Sequence, residues 1–176
     1  MSSFNPSEIY QFAVKIEENG EKLYRKMTDK LDNKKVKELF TFLADEEVEH
    51  KAIFKNLLSK FEKYNPPESY PREYFAYLEA YTENIVFSFS KFDDDILKIN
   101  DMETALRFAI GKELDTIQYF QEMKNLVQKS ENKKIEAIIE EERRLVVKLS
   151  EMQKELICRY WEMISPSLKF RQRRDQ

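Results

Sequence analysis

The sequence has very little of the residue types that make turns and cross-links. Its 176 residues include two glycines, five prolines and one cysteine, Cys158. A single cysteine excludes an intramolecular disulfide and also a four-cysteine zinc or iron centre. Folds rich in β-strands need more turn residues than this, so the scarcity of glycine and proline predicts long helices joined by few turns. We expect Cys158 to be a small core residue.

The chain also lacks a strong charge imbalance and a long hydrophobic run. Thirty Lys and Arg against 33 Asp and Glu leave a net charge of −3, which argues against nucleic acid as the main ligand. No segment approaches the roughly 18 consecutive apolar residues of a membrane span, and the first residues do not resemble a secretion signal. We therefore expect a cytoplasmic protein with neither nucleic-acid nor membrane partners.

The apolar residues that are present follow the helical period in four long segments. Residues 65–100 separate the second segment from the third, contain three of the five prolines, and are predicted to form a long crossover with one or two short helices. Such a crossover is needed when the third helix starts at the opposite end of a bundle from where the second ends. We expect a single bundle domain over residues 1–164 and a solvated basic tail over 165–176. The predicted helices span about residues 6–31, 33–64, 101–129 and 131–164, with Asn5, Asn100 and Ser130 as candidate caps.

The two halves of the sequence repeat one pattern. Residues 12–17, FAVKIE, reappear 96 positions later as residues 108–113, FAIGKE. Residues 43–50, LADEEVEH, are matched 95 positions later by residues 138–145, IIEEERRL. The most important mismatch is at the last position of the second repeated segment, where Glu47-x-x-His50 is matched by Glu142-x-x-Leu145. Two helical hairpins related in this way can bring acidic side chains from four helices to one level of a core.

Four glutamates lie on the apolar faces of these predicted helices: Glu17, Glu47, Glu113 and Glu142. Burial raises the pKa of a carboxyl group and makes its charged form costly, so four of them in one layer require positive charge. Lys and Arg are missing from the inward faces near these positions, and two divalent cations would supply the charge. A network of protonated or mutually hydrogen-bonded acids remains the alternative.

His50 adds a nitrogen ligand to this set of acids. Glu47 and His50 are three residues apart and project from the same side of a helix, so they can bind one ion together. Such a pair also occurs by chance on the solvated face of any charged helix. Here both residues lie on the apolar face, and His50 is the only histidine in the chain. This placement favours a metal site.

These positions resemble the rubrerythrin family of the ferritin-like superfamily, in the erythrin type that has no rubredoxin domain. The resemblance implies an all-α, ferritin-like four-helix bundle of two pseudo-repeated hairpins with a long crossover, holding two iron ions. It also implies terminal ligands at Glu17 and Glu113, bridging ligands at Glu47 and Glu142, and a nitrogen ligand at His50. The matching residues are Glu17 with Gly20 and Tyr24, Glu47-x-x-His50, Glu113 with Thr116 and Phe120, and Glu142.

The same resemblance implies a homodimeric oxidoreductase of the peroxidase or ferroxidase type. Such a protein reduces peroxide or oxygen as Fe(II) is oxidised, and a separate protein would have to donate the electrons. Two alternatives stay open. One is a ferroxidase that serves iron storage or delivery with the same ligands, and the other is a degenerate, metal-poor bundle that acts as a binding or scaffold protein.

The sequence departs from the family pattern at two positions. Leu145 stands where the second histidine is expected, so the second ion would have only oxygen ligands, a set that suits Mn(II) better than iron. Thr116 stands where many rubrerythrins have an additional glutamate that moves with the redox state. Tyr24 is either a donor to a ligand carboxylate or a core tyrosine with its oxygen at the bundle edge.

Overall fold

The computed structural model describes residues 6–59, 80, 92–126, 129 and 132–164, and within them it contains helices and no strand. Four long helices and one short one confirm the predicted all-α class. They are α1 (Pro6–Lys30), α2 (Lys34–Ser59), α3 (Phe92–Ile96), α4 (Met102–Leu126) and α5 (Asn132–Ile164). None of the described helices is long and apolar enough to cross a membrane.

Side-chain caps set the starts of two helices. The Asn33 side chain accepts hydrogen bonds from the backbone N–H of Lys35 at 3.1 Å and of Val36 at 3.3 Å, and so caps α2 close to its predicted start. The predicted cap of the third long helix, Asn100, is wrong by one residue. Asp101 performs this function, because its carboxylate accepts the Thr104 backbone N–H at 2.9 Å. The predicted cap Ser130 lies outside the described residues.

Ion pairs show that α1 and α2 form an antiparallel hairpin. Glu18 pairs with Lys55 at 3.5 Å, Glu21 pairs with Lys51, and Arg25 pairs with Asp45 at 2.7 Å. Residue numbers therefore rise along α1 while they fall along α2. The second hairpin has a corresponding pair close to its turn, between Lys124 of α4 and Glu136 of α5.

Aromatic contacts between the hairpins show that α2 and α4 run parallel. Phe40 contacts Phe108 with ring centroids 6.2 Å apart, and Phe54 contacts Phe120 at 6.4 Å, so residue numbers rise together along both helices. The α4 helix thus begins at the end of the bundle where α2 also begins. The intervening chain has to travel the length of the bundle, which is the reason for the predicted crossover. Within 65–100 the structure describes α3, residue 80 and residues 97–100, and the rest of the crossover and the 165–176 tail lie outside the described residues.

The prediction that Cys158 is a core residue is wrong. Its side chain is exposed near the end of α5. The α5 helix has 33 residues and α4 has 25, and the last fully buried side chain that the structure describes on α5 is Leu149. The described turns of α5 beyond Leu149 therefore have no fully buried side chain, although Met152 and Leu156 still pack against the core.

Candidate metal centre

The fold brings all five predicted ligand residues into one buried layer. Glu17 comes from α1, Glu47 and His50 from α2, Glu113 from α4, and Glu142 from α5. The glutamates are 1–2% exposed and His50 is 7% exposed. Among the described residues, no other charged or imidazole side chain is buried to this degree.

Three of the residues form a compact group that spans both hairpins. The His50 Nδ1 atom lies 3.6 Å from Glu17 Oε2 and 3.5 Å from Glu142 Oε1. One ligand atom from each of the three residues lies within 4.8 Å of the others, a spacing at which one cation can contact all three. Glu47 and Glu113 adjoin this group through their contacts with Glu17 and Glu142, respectively.

Tyr24 is tied to the same layer. Its hydroxyl donates a hydrogen bond of 2.6 Å to Glu113 Oε1, and the Tyr24 side chain is fully buried. Of the two alternatives that the sequence left open for Tyr24, the structure therefore shows the donor to a carboxylate. The bond links α1 to α4 and fixes the position of one Glu113 oxygen.

Burial dominates the electrostatics of the layer. It raises the pKa of Glu17, Glu47 and Glu142 well above the ordinary range, and repulsion between the neighbouring carboxylates raises each pKa further. Burial also raises the pKa of Glu113 to about 7, although the Tyr24 hydrogen bond opposes this shift. For His50, burial lowers the pKa and favours the neutral imidazole, which is the form that binds metal ions.

The residues fit a cation of the iron type. Glu17 Oε1, His50 Nδ1 and Glu142 Oε1 are buried and have no hydrogen-bond partner within the described part of the chain. Buried polar atoms are nearly always paired, so three unpaired ligand atoms at one place indicate a group that binds there. Carboxylate oxygens with one imidazole nitrogen form a donor set that suits iron and manganese. A network of protonated acids stays the alternative, because the Glu17 carboxyl group also lies within hydrogen-bonding distance of those of Glu47 and Glu142.

The second half of the layer offers fewer ligands. Leu145 is buried at 3% exposure, three residues after Glu142, and contributes no donor atom. Thr116 is also buried, but its hydroxyl donates to the Lys112 carbonyl oxygen of its own helix at 3.2 Å. That Leu145 would face a second metal ion stays a prediction.

The sequence identified Gly20 as one of the residues that match the family but assigned it no role at the site. In the structure the Glu47 carboxylate lies directly against Gly20. The available signal was a glycine in the middle of a predicted helix, one turn after a ligand residue, where glycine is unfavourable unless close packing requires it.

Comparisons with known proteins agree with this geometry. The rubrerythrin family model matches residues 8–144, which is most of the chain. Among solved structures, the chain is similar to a candidate ferritin-like diiron-carboxylate protein of Thermotoga maritima, with 26% sequence identity and a TM-score of 0.55. The similarity covers 88% of this chain and 98% of that one. No curated protein matches the chain. The chain therefore belongs to the rubrerythrin family and has the ferritin-like fold of diiron-carboxylate proteins.

Proposed function

We propose that the chain is a non-haem di-iron carboxylate protein of the rubrerythrin type, which reduces peroxide or oxygen as Fe(II) is oxidised. One observation carries this proposal: Glu17, His50 and Glu142 converge in a buried layer with three unpaired ligand atoms. The family membership and the diiron-carboxylate neighbour support it.

Five residues would hold the metal. Glu17 and Glu113 would be terminal ligands, Glu47 and Glu142 would bridge, and His50 would supply the nitrogen. Iron held by these residues would supply electrons for the reduction of peroxide or oxygen, and an external donor would return it to Fe(II). We propose two ions, with the tighter one on the His50 side, because the other position has oxygen donors alone and suits Mn(II) better.

The protein side chains prepare the site for this chemistry. Their burial excludes bulk water, which strengthens electrostatic interactions inside the layer. Tyr24 holds one oxygen of Glu113 in place. Carboxyl groups with a raised pKa retain protons when no cation is bound, so cation binding must displace protons from the layer.

We propose two partners for this activity. On the basis of the resemblance to the family, we propose that a separate protein donates the electrons. We also propose a homodimer, on the basis of the resemblance to the family.

Oxidant preference tests the proposed activity. Reduced, iron-loaded protein should be oxidised faster by hydrogen peroxide than by oxygen at equal concentration, since the resemblance is to proteins that use peroxide. Stopped-flow absorbance in the near ultraviolet measures both rates. A faster reaction with oxygen, followed by accumulation of many ferric ions per chain, would favour the ferroxidase that serves storage.

Metal-dependent melting tests whether the layer binds metal at all. A ligand that binds only the folded state at a hundredfold excess over its Kd stabilises that state by about 2.7 kcal/mol. For a chain of this size, this corresponds to an increase in melting temperature of roughly 5–10 °C. Circular dichroism melts with anaerobic Fe(II), with Mn(II) and with chelator provide the comparison.

A second candidate function follows from Leu145. Leu145 is apolar and buried at the position where the family resemblance implies a ligand histidine. A degenerate, metal-poor bundle would have such a residue there and would serve as a binding or scaffold protein. Identical melting temperatures with saturating metal and with chelator would favour this candidate and contradict the metal site.

A further inference from the structure

The space in front of the Glu47 carboxylate depends on one glycine. A Cβ atom added at Gly20 would lie 2.7 Å from Glu47 Cδ, 2.7 Å from Oε1 and 2.8 Å from Oε2. Non-bonded carbon atoms pack at about 3.5–4.0 Å, so any residue other than glycine would require the Glu47 carboxyl group to move. The Glu47 carboxyl group therefore packs on the bare backbone of α1.

Gly20 lies in the same turn of α1 as the ligand residue Glu17. One turn of helix thus supplies both a carboxylate and the open space that a carboxylate of α2 occupies. The contact between the Glu17 and Glu47 carboxyl groups depends on this arrangement, because Glu47 can approach Glu17 only where α1 has no side chain at position 20.

The matching position in the second half is not a glycine. Thr116 occupies the matching position, 96 residues after Gly20, and its side chain is buried. The other glycine of the chain, Gly111 of α4, has nothing within 4 Å of an added Cβ. Of the two glycines in the chain, only Gly20 lies against a glutamate side chain.

We propose that Gly20 is a positioning residue of the metal site, which acts by admitting the Glu47 carboxylate to its ligand position. This inference rests on the proposed function. The contact between a side chain at position 20 and Glu47 can be relieved in two ways. Either the backbones of α1 and α2 move apart, or the Glu47 side chain rotates away. Rotation is the easier response, because Glu47 meets position 20 with the far end of a flexible chain. Substitution by alanine therefore leaves the fold intact and displaces the Glu47 carboxylate from its ligand position.

The test compares two glycine-to-alanine variants of the full chain, stripped with chelator and titrated calorimetrically with Mn(II) and anaerobic Fe(II). Gly20→Ala should fold without metal, because alanine is a better helix former than glycine. It should bind the tighter ion about 10- to 100-fold more weakly than the parent, which is the usual loss when a group that orients a metal ligand is removed. Gly111→Ala, the matched control, should melt at the parent temperature or a few degrees higher without metal and bind metal as the parent does.

A double variant separates the Glu47 effect from a general structural effect. In Glu47→Asp the carboxylate is one methylene shorter and retracts from position 20. Adding Gly20→Ala to this background should change metal affinity by less than about twofold, because the group that met the new Cβ has withdrawn.

Two outcomes would overturn the inference while the proposed function stands. In the first, the parent chain binds metal and Gly20→Ala binds it with the same affinity. The other is failure of both Gly20→Ala and Gly20→Ala/Glu47→Asp to fold, which would place the conflict at the backbone and not at Glu47. A parent chain that binds neither ion would overturn the proposed function and the inference with it.

Discussion

Replacement of His50 by alanine is expected to abolish tight metal binding. His50 supplies the only nitrogen in the layer, and its Nδ1 atom lies 3.5–3.6 Å from carboxylate oxygens of Glu142 and Glu17. Loss of groups that merely orient metal ligands costs about 10- to 100-fold in affinity, so loss of the ligand itself should exceed about 100-fold. Calorimetric titration of chelator-stripped protein with Fe(II) under anaerobic conditions measures the effect.

Glu103→Ala is the control for this experiment. Glu103 is an exposed acid in the first turn of α4, paired with Arg107 at 2.8 Å. An exposed pair of this kind contributes at most about 1 kcal/mol to stability, and neither residue is near the buried layer. Glu103→Ala should bind metal as the parent does. Equal affinities for His50→Ala and Glu103→Ala would show that His50 is not a ligand.

Replacement of Leu145 by histidine is expected to create a second nitrogen ligand. Leu145 follows Glu142 by three residues, as His50 follows Glu47, so a histidine there should project from the same side of α5 as Glu142. Loss of apolar burial should lower the stability of the metal-free protein by about 1–2 kcal/mol. With metal, the new coordinate bond should recover this loss or exceed it. Metal stoichiometry and melting temperature, measured beside the parent chain, give the result.

Leu149→His is the matched control for this gain of function. Leu149 is fully buried, one turn beyond Leu145 on the same helix, and lies seven residues from Glu142. Its replacement should cost similar stability with metal and with chelator, because no carboxylate layer is within reach. If Leu145→His behaves in the same way and binds no additional ion, the assignment of position 145 to a second metal is wrong.

The hairpin repeat and the five site residues could be predicted because they depend on local rules. Helical periodicity assigns each side chain to a face, and a glutamate on an apolar face is conspicuous in any sequence. The burial of Glu17 and Glu113 confirms that assignment. The start of α4 was predicted one residue too early, because Asn100 and Asp101 are both good caps and only the backbone path selects Asp101.

Sequence alone thus determined the helical class and the identity of the acidic layer, since both follow from residue spacing along each helix. The antiparallel hairpin followed from a short connection, and the family followed from the resemblance of the site positions to rubrerythrins. Distances between helices were decided only by the tertiary structure. Tyr24 could have pointed its hydroxyl to the bundle edge, and packing of α1 against α4 directs it to Glu113. The chain has two glycines, and the sequence does not show which of them a glutamate contacts. Packing of α2 against α1 places the Glu47 carboxylate against Gly20 and not against Gly111. Interhelical contacts join residues far apart in the chain, and the periodicity of a single helix does not specify them.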